Sequence, residues 1–208
     1  MSEYFVPAGS GEAEFVEKRS SFLGHVRFVE TEDAARDFIN EMKKKHYDAR
    51  HNCWCYIIRD GAVRYSDDGE PQGTAGLPML EVFKREGVEN VVCVVTRYFG
   101  GVLLGTGGLL RAYTKSAKDA LDAAGIAAVR RWVKLEVGCP YSLLERMKTE
   151  CLSLDGAVQN VDYGADVLLS LLLPENNAEA FSVRVTELSA GACSAQTVGE
   201  ELMPVRIK

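Results

Sequence analysis

Residues 91–113 read VVCVVTRYFGGVLLGTGGLLRAY, and this stretch carries the strongest structural signal in the chain. It starts with Val91–Val95, an uninterrupted and mostly β-branched run that is typical of a central strand. Glycine-rich sequence follows as far as Gly108. An apolar stripe at helical spacing then covers Leu109–Ala124, and Gly125 ends it. The stretch therefore predicts a strand, a glycine-rich loop and a helix, in that order.

The glycine-rich loop is predicted to bind an anion, because it leads directly into a helix. The first N–H groups of a helix have no intrahelical partner, and the helix dipole adds partial positive charge there. The surrounding window, Asn90–Lys118, contains four basic residues and no acidic residue. A tight loop packed against neighbouring backbone is the alternative. The predicted phosphate- or nucleic-acid-binding residues are Arg97, Tyr98, Gly100, Gly101, Gly105, Thr106, Gly107, Gly108, Arg111 and Lys115.

Two of these side chains have specific expected roles. Arg97 follows the predicted strand and is expected to place its forked guanidinium group on the same phosphate as the glycines. Tyr98 is expected to be exposed and to stack on a base. The loop lacks the Gly-Lys-Ser/Thr ending of a Walker phosphate loop, so the prediction depends on glycine, basic charge and the helix start.

A second glycine-rich stretch, SDDGEPQGTAG at 66–76, contains a dense cluster of carboxylates. Such a cluster can hold a hard cation such as magnesium beside phosphates, or act as a general base. A solvated acidic turn is the alternative, because Asp and Gly favour turns and Pro71 restricts Glu70 to an extended conformation. Magnesium is the only cofactor suggested, and no established metal site is predicted. The candidate catalytic residues are Asp67, Asp68, Glu70 and His51, and the three carboxylates are also weak candidates for metal ligands.

His51 begins a predicted strand, His51–Ile58, on which it shares a face with Cys53 and Cys55. A histidine at the end of a strand is a candidate for proton transfer, and a histidine with a purely structural role is the alternative. Metal binding by all three side chains would need a fourth ligand. Buried cysteines in a strand are the simpler interpretation.

Composition limits the class of protein. The chain has 208 residues, of which 47% are apolar, enough for one large domain or two small ones. Its net charge of −6 argues against indiscriminate binding to nucleic acid. The six cysteines include no Cys-x-x-Cys pair, so reduced thiols are expected rather than a zinc site or disulfides. No signal peptide or membrane-spanning stretch is evident, and a cytoplasmic protein without a membrane partner is expected.

A domain boundary is predicted within Ala127–Val133, which gives domains of residues 1–130 and 131–208. Before the boundary, Thr31 is expected to cap a helix and Asp60-Gly61 to form a hairpin turn. After it, the order strand, helix, strand, strand, helix, strand is typical of a ferredoxin-like βαββαβ domain. Residues 133–208 carry six basic and eleven acidic residues, so this domain is interpreted as a docking module for a protein partner. The expected fold class is α+β with two domains.

Three long motifs in this chain closely resemble those of the YigZ/IMPACT family. They are HNCWCY at 51–56, SDDGEPQGTAGLP at 66–78 and VTRYFGGVLLGTGGLLRAY at 95–113, and KRSSF at 18–22 precedes them. One departure is Cys55, where the family usually has alanine. The resemblance implies a first domain with the fold of the second domain of ribosomal protein S5, and overall similarity to the last two domains of elongation factor G. It also implies a link to translation, since eukaryotic members regulate translation through protein partners.

Three functional hypotheses follow. The first is a cytosolic translation-associated regulatory protein that binds RNA, the ribosome or another phosphate-bearing ligand through the glycine-rich basic site. The second is a magnesium-dependent enzyme that acts on a nucleotide or a phosphorylated small molecule. The third is a protein-interaction module that docks through its acidic second domain. The sequence leaves open whether the chain is an enzyme and which oligomeric state it adopts, and we take the first hypothesis forward.

Overall fold

The computed structural model describes residues 3–207, so residues 1–2 and 208 of the two predicted domain ranges lie outside the described residues. The strands are β1 Tyr4–Pro7, β2 Gly11–Glu17, β3 Ser20–Phe28, β4 His51–Ile57, β5 Val63–Ser66, β6 Val91–Tyr98, β7 Ile126–Cys139, β8 Ala157–Tyr163, β9 Val167–Pro174 and β10 Ala195–Arg206. The helices are α1 Glu32–Lys45, α2 Gly76–Glu86, α3 Gly105–Ala124, α4 Leu144–Ser153 and α5 Glu175–Leu188. None of the helices within the described range is long and apolar enough to cross a bilayer.

The chain divides into two compact units. The first domain consists of residues 4–129 together with the segment that starts at Pro204, and the second domain consists mainly of Arg130–Met203. The return of the last residues to the first domain differs from the sequence-based ranges. It has a simple physical reason, because the backbone N–H of Ile207 donates to the carbonyl of Ile126 at 2.9 Å.

The first domain is built on an antiparallel sheet with the strand order β2-β3-β6-β4-β5. The prediction of a central strand is confirmed, because β6 lies in the middle of this sheet and all of Val91–Val95 is buried. One face of the sheet packs against α1, and the other packs against α2 and α3. Residues alternate between the two faces, so β4 contributes Cys53 and Cys55 to one core and Tyr56 to the other.

Local sequence signals explain the ends of several elements. The Thr31 hydroxyl accepts a hydrogen bond from the backbone N–H of Ala34 at 3.1 Å, which confirms the predicted cap of α1. The predicted turn at Asp60-Gly61 is present between β4 and β5, where Ile58 N–H donates to the carbonyl of Ala62. Gly87 ends α2 in the left-handed conformation, with φ of 66°.

The helix predicted over Leu109–Ala124 is longer than expected. It begins at Gly105, so the last part of the predicted loop forms the first turn of α3. The apolar spacing could not reveal this turn, because it consists of Gly, Thr, Gly and Gly, which are poor helix formers. Gly105 itself has φ of 71°, a left-handed conformation that glycine adopts without strain.

The second domain has the predicted βαββαβ order, formed by β7, α4, β8, β9, α5 and β10. Its strands lie in the order β10-β7-β9-β8, and the β7–β9 and β8–β9 pairs are antiparallel. The two helices and the sheet enclose an apolar core that includes Leu135, Met147, Leu169 and Phe181. The two-domain α+β fold class is therefore confirmed, while the specific likeness to ribosomal protein S5 stays a prediction.

All six cysteines are free and buried. The first domain contains Cys53, Cys55 and Cys93, and the second contains Cys139, Cys151 and Cys193. Burial raises the pKa of the Cys151 thiol to about 11 and raises the pKa of Cys53, Cys55 and Cys139 as well. These thiols are part of the hydrophobic packing.

Candidate functional site

A groove of about 270 Å³ lies beside the first turns of α3. We name it the α3 groove; it is lined by Phe15, Glu17, Lys18, Leu104, Gly108, Arg111, Ala112 and Lys115. Three of these eight side chains are cationic and one is acidic. Arg111 and Lys115 belong to the predicted binding residues, whereas Lys18 comes from the turn between β2 and β3 and was not predicted.

The cations of the α3 groove differ in how far they are already neutralised. Lys115 forms an ion pair with Asp119 at 2.7 Å and lies 5.3 Å from the centre of the Phe15 ring. Within residues 3–207, neither Lys18 nor Arg111 forms an ion pair with another side chain. These two charges are therefore available to a ligand, and an anion in the groove would meet them without displacing a carboxylate partner.

The turn that carries Lys18 has an unusual backbone. Glu17 and Ser20 are paired across the β2–β3 hairpin, which leaves Lys18 and Arg19 as its two-residue loop. Both have positive φ, 46° and 67°. Such turns normally contain Asn or Gly, because other residues lose about 1–2 kcal/mol in the left-handed conformation. Strained backbone of this kind is enriched at functional sites.

The predicted glycines fall into two groups with different environments. Gly100 packs closely against the β2–β3 turn, where an added Cβ would lie 2.0 Å from the carbonyl carbon of Arg19. Its N–H donates to the Ser20 hydroxyl at 3.1 Å. The glycine-rich segment farther along the chain is open instead: Gly101, Gly105, Thr106 and Gly107 are exposed and Gly108 is half-buried. Among the residues that the structure describes, no side chain caps the first turn of α3, whose N-cap is Leu104.

Arg97 has a different position from the one expected beside the glycine run. It is 5% exposed, and its guanidinium donates to Glu70 Oε1 at 2.6 Å. The guanidinium carbon also lies 5.5 Å from the ring centres of Phe22 and Phe99. The expected location of this guanidinium is therefore corrected: a buried carboxylate between β5 and α2 holds it inside the first domain. Its contribution to ligand binding stays a prediction.

Glu70 is the centre of a buried polar cluster. Its Oε1 accepts hydrogen bonds from both Arg97 and the Tyr113 hydroxyl, the latter at 2.8 Å. Burial, together with the neighbouring Cys53 and Glu70, raises the pKa of Tyr113 far above its ordinary range, so the hydroxyl remains a donor. The arginine neutralises the carboxylate, and this pairing is what allows both charges to be buried.

His51 lies at the edge of this cluster. Its Nδ1 is 2.8 Å from the carbonyl oxygen of Asp68, and since a carbonyl only accepts, Nδ1 carries the proton of that hydrogen bond. Nε2 then faces Glu70 Oε2 at 3.9 Å. The histidine and the carboxylate predicted as catalytic candidates are therefore brought together, although their catalytic role stays a prediction.

The other two carboxylates of the predicted cluster point elsewhere. Asp67 accepts hydrogen bonds from the backbone N–H groups of Gly73, Ala75 and Gly76, so it caps the start of α2. Asp68 accepts from Lys43 Nζ at 2.9 Å and from the N–H of Asn52 at 2.7 Å. The turn interpretation therefore describes the local structure of both residues.

Magnesium binding by this cluster stays a prediction. Among the residues that the structure describes, no group of three or more His, Cys, Asp or Glu side chains is arranged to hold a metal ion.

Tyr98 lies outside the α3 groove and is half-buried. Its hydroxyl donates to Asp48 Oδ1 at 3.1 Å and lies 3.0 Å from His46 Nδ1. Partial burial and the hydrogen bond to Asp48 raise the pKa of Tyr98. The expected role in base stacking stays a prediction.

Comparison with known proteins is informative over nearly the whole chain. A family model described as the Impact N-terminal domain matches residues 18–121, and one described as a domain of unknown function (DUF1949) matches residues 137–192. The IMPACT family member YvyE of Bacillus subtilis (strain 168) is 38% identical over 193 residues, 92% of this chain and 89% of that protein. The chain belongs to the IMPACT family.

Two further matches extend over most of the chain. IMPACT family member YigZ of Escherichia coli (strain K12) is 33% identical over 204 residues, 96% of this chain and the whole of that protein. A solved structure described as a crystal structure of a hypothetical protein matches with a TM-score of 0.60 and 32% identity, covering 96% of this chain and 98% of that one. The family assignment thus extends over both domains.

Proposed function

We propose that this chain is a translation-associated protein that binds RNA or the ribosome through the α3 groove, with phosphate groups as the ligands of its cations. The observation that carries the proposal is the presence of two unpaired cations, Lys18 and Arg111, in a groove next to the uncapped first turn of α3. Membership of the IMPACT family supports the link to translation, because the resemblance implies this role for eukaryotic members.

The chemistry of the groove suits a phosphate better than a neutral ligand. The N–H groups of the first turn of α3 are donors without a side-chain cap, and the helix dipole adds positive potential at that end. Arg111 Nη1 lies close to this turn, 3.7 Å from where a Cβ of Gly107 would be. The proximity of this guanidinium to the first turn supports a phosphate bound by both the guanidinium and the backbone N–H groups.

The acidic character of the whole chain favours selective binding. A net charge of −6 repels a polyanion at long range, so binding has to come from the local cations of the groove. The groove also has an apolar side, formed by Phe15, Leu104 and Ala112, which can contact a ribose or a base. A local basic groove on an acidic protein predicts that the protein contacts only a few phosphates of an RNA, rather than binding along the length of a duplex.

The test compares RNA binding by the full chain and by the variant Arg111→Glu. Filter binding to a structured RNA hairpin and to purified bacterial ribosomes is measured from 50 to 300 mM KCl. The matched control is Lys44→Glu, an identical reversal of charge sign at an exposed lysine of α1. We expect the affinity of Arg111→Glu to fall at least about tenfold, and the slope of log K against log salt to decrease by about one.

Equal affinity for the wild type, Arg111→Glu and Lys44→Glu would exclude the α3 groove as the binding site. Absence of binding to both RNA and ribosomes by the wild type would remove the proposal altogether. If a nucleotide with magnesium then raised the melting temperature of the chain, the alternative of a magnesium-dependent enzyme would take its place.

A further inference from the structure

A second groove lies on the face of the first-domain sheet that packs against α1. It has a volume of about 340 Å³, and we name it the tryptophan groove. It is lined by Arg36, Ile39, Asn40, Lys43, Trp54, Tyr56 and Arg64. Trp54 and Tyr56 belong to the core on the α1 side, whereas the α3 groove lies on the side of Leu104 and Ala112, which belong to the other core. The two grooves are therefore on opposite faces of one sheet.

The aromatic part of the tryptophan groove is preorganised. The rings of Trp54 and Tyr56 are nearly parallel, with an interplanar angle of 8° and centres 5.7 Å apart. Tyr56 is 2% exposed, and its hydroxyl is fixed by a hydrogen bond to Glu32 at 2.8 Å. Trp54 is only half-buried, so part of its indole remains open to a ligand. An open indole held by a fixed ring is a surface on which a planar ligand stacks.

Cations surround this aromatic surface. Arg64 is exposed, and within the described residues it forms no ion pair. Arg36 is paired with Glu32 at 3.2 Å, and Lys43 with Asp68 at 2.9 Å. Arg64 is therefore the cation that is free to bind an anionic group. Because Arg64 pairs directly with Tyr56 in the β4–β5 register, it lies two residue pairs from Trp54 along the strands.

A polar side chain completes the groove. Asn40, on the exposed side of α1, lines the groove, and its side-chain amide makes no hydrogen bond with any described residue. An amide side chain offers two donors and an acceptor, which matches the mixed donor and acceptor edge of a nucleobase. The groove volume lies in the range of small-ligand sites.

We propose that the tryptophan groove binds a nucleotide unit, with the base stacked on Trp54 and the phosphate bound by Arg64. The same chemistry is presented by a free mononucleotide and by one nucleotide of a single-stranded RNA. This site is separate from the α3 groove, and its occupancy does not depend on the function proposed above.

The fluorescence of Trp54 reports directly on the proposed contact. The chain has two tryptophans, and Trp132→Phe leaves Trp54 as the only one. The substitution also removes the Trp132 Nε1 donor, which is buried without a hydrogen-bond partner. In this background the full chain is titrated with AMP and, separately, with a single-stranded oligoadenylate of ten nucleotides. Stacking of adenine on the indole is expected to quench the emission with a saturable dependence on concentration.

Two site variants and one control variant in the same background assign the site. Arg64→Glu is expected to lower the affinity for the quenching ligand at least about tenfold. Lys44→Glu reverses an exposed charge on α1 outside the groove, and as the control it is expected to change this affinity less than twofold. Trp54→Leu, tested with fluorescently labelled oligoadenylate, is expected to lose binding as well. Melting temperatures within a few degrees of the parent show that each variant is folded.

The outcomes separate the ligand sources and the two proposals. Saturable quenching by AMP identifies a free-nucleotide site, and quenching by the oligonucleotide alone identifies a single-stranded RNA site. Absence of quenching by both probes, or equal effects of Arg64→Glu and Lys44→Glu, would overturn the proposal. Because Arg111 does not line this groove, loss of RNA binding in Arg111→Glu tests the α3 groove separately.

Discussion

The interiors of the two domains differ in chemistry. Of the eleven buried polar or charged residues in the described part of the chain, ten lie in the first domain, and Ser189 alone lies in the second. The second domain is stabilised by a core of leucine, valine, methionine and phenylalanine side chains. The first domain also buries an ion pair, two histidines and three amide or hydroxyl groups on its strands, which costs desolvation and restricts the fold.

This difference sets the geometric demands on the interior of each domain. An apolar core stabilises a domain with few geometric demands. In a buried polar cluster, by contrast, each donor and acceptor needs its own hydrogen-bond partner. The Glu70 cluster lies in the same domain as both grooves, and it joins the loop between β5 and α2 to β6 through Arg97 and to α3 through Tyr113. The second domain, by comparison, has the properties of a packed scaffold with an acidic surface.

The largest effect is expected from breaking the buried ion pair. Glu70→Ala leaves Arg97 without its carboxylate partner inside the first domain, where the two side chains are 3% and 6% exposed. Loss of one partner of a buried pair costs about 3–5 kcal/mol. The free energy of unfolding is measured by urea denaturation of the full chain. Lys134→Ala, which removes a partly exposed pair with Glu201 in the second domain, is expected to cost at most about 1 kcal/mol.

A double variant sharpens this contrast. Replacing Glu70 and Arg97 together by methionine removes both charges. The loss in the free energy of unfolding is therefore expected to be smaller than the sum of the losses in the two single methionine variants. Strict additivity would show that the pair has no energetic coupling and that the polar cluster is incidental to the first domain.

A smaller effect is expected from Gly100→Ala. The added Cβ would overlap the backbone of Arg19, and because backbone cannot rotate away, the β2–β3 turn has to shift. We expect a loss of about 1–3 kcal/mol in the free energy of unfolding. Gly138→Ala is the control in the second domain, since its Cβ meets no atom within 4 Å and its stability should change by at most about 0.5 kcal/mol. Equal effects at the two glycines would contradict the close packing inferred at Gly100.

The pH dependence of stability should also distinguish the domains. Burial lowers the pKa of His25 and His46 below the ordinary histidine value of 6.5, and the neighbouring Lys45 lowers both further. The unfolded chain therefore binds more protons than the folded chain below about pH 6.5, so stability falls as the pH drops from there towards the lowered pKa values. The maximum slope is about 1.4 kcal/mol per pH unit for each histidine.

The second domain contains none of the three histidines of the chain, so it lacks this contribution. Melting curves between pH 7.5 and 5 measure the effect, and His25→Gln with His46→Gln should flatten the profile in this range. An unchanged profile in the double variant would show that the acid sensitivity comes from other groups.

The smallest effect is expected at the strained turn of the α3 groove. Replacing Lys18 by Asn and Arg19 by Gly supplies residues that prefer positive φ, so the first domain should gain about 1 kcal/mol. The same change removes a groove cation, and RNA affinity should fall. A gain in stability without loss of RNA affinity would show that neither the strained turn nor the Lys18 charge is needed for binding.

The elements that could be predicted were those with a local signal. The β-branched run at Val91–Val95, the cap at Thr31, the glycine at the end of α2 and the βαββαβ order each depend on neighbouring residues, and the structure has all four. The first turn of α3 was missed because glycine weakens every helical signal. The sequence thus revealed most of the secondary structure of both domains.

The candidate sites were harder to predict, because their parts come from distant segments. Arg97 pairs with Glu70, 27 residues away, and only the tertiary fold brings the loop between β5 and α2 to β6. Lys18 reaches the α3 groove from a hairpin that the sequence marked only as a short motif at 18–22. The tryptophan groove requires α1 to pack on one face of β4, a tertiary contact that no local pattern encodes.

Because each domain contains three buried cysteines, thiol reactivity can measure the local unfolding of each domain separately. Each domain conceals three thiols, and none of the six is exposed. A thiol-specific reagent can then react only with molecules that have opened locally, so the rate of modification at each cysteine measures how often its domain opens. Mass spectrometry of partly modified chains would show whether the first domain, with its polar interior, opens before the second.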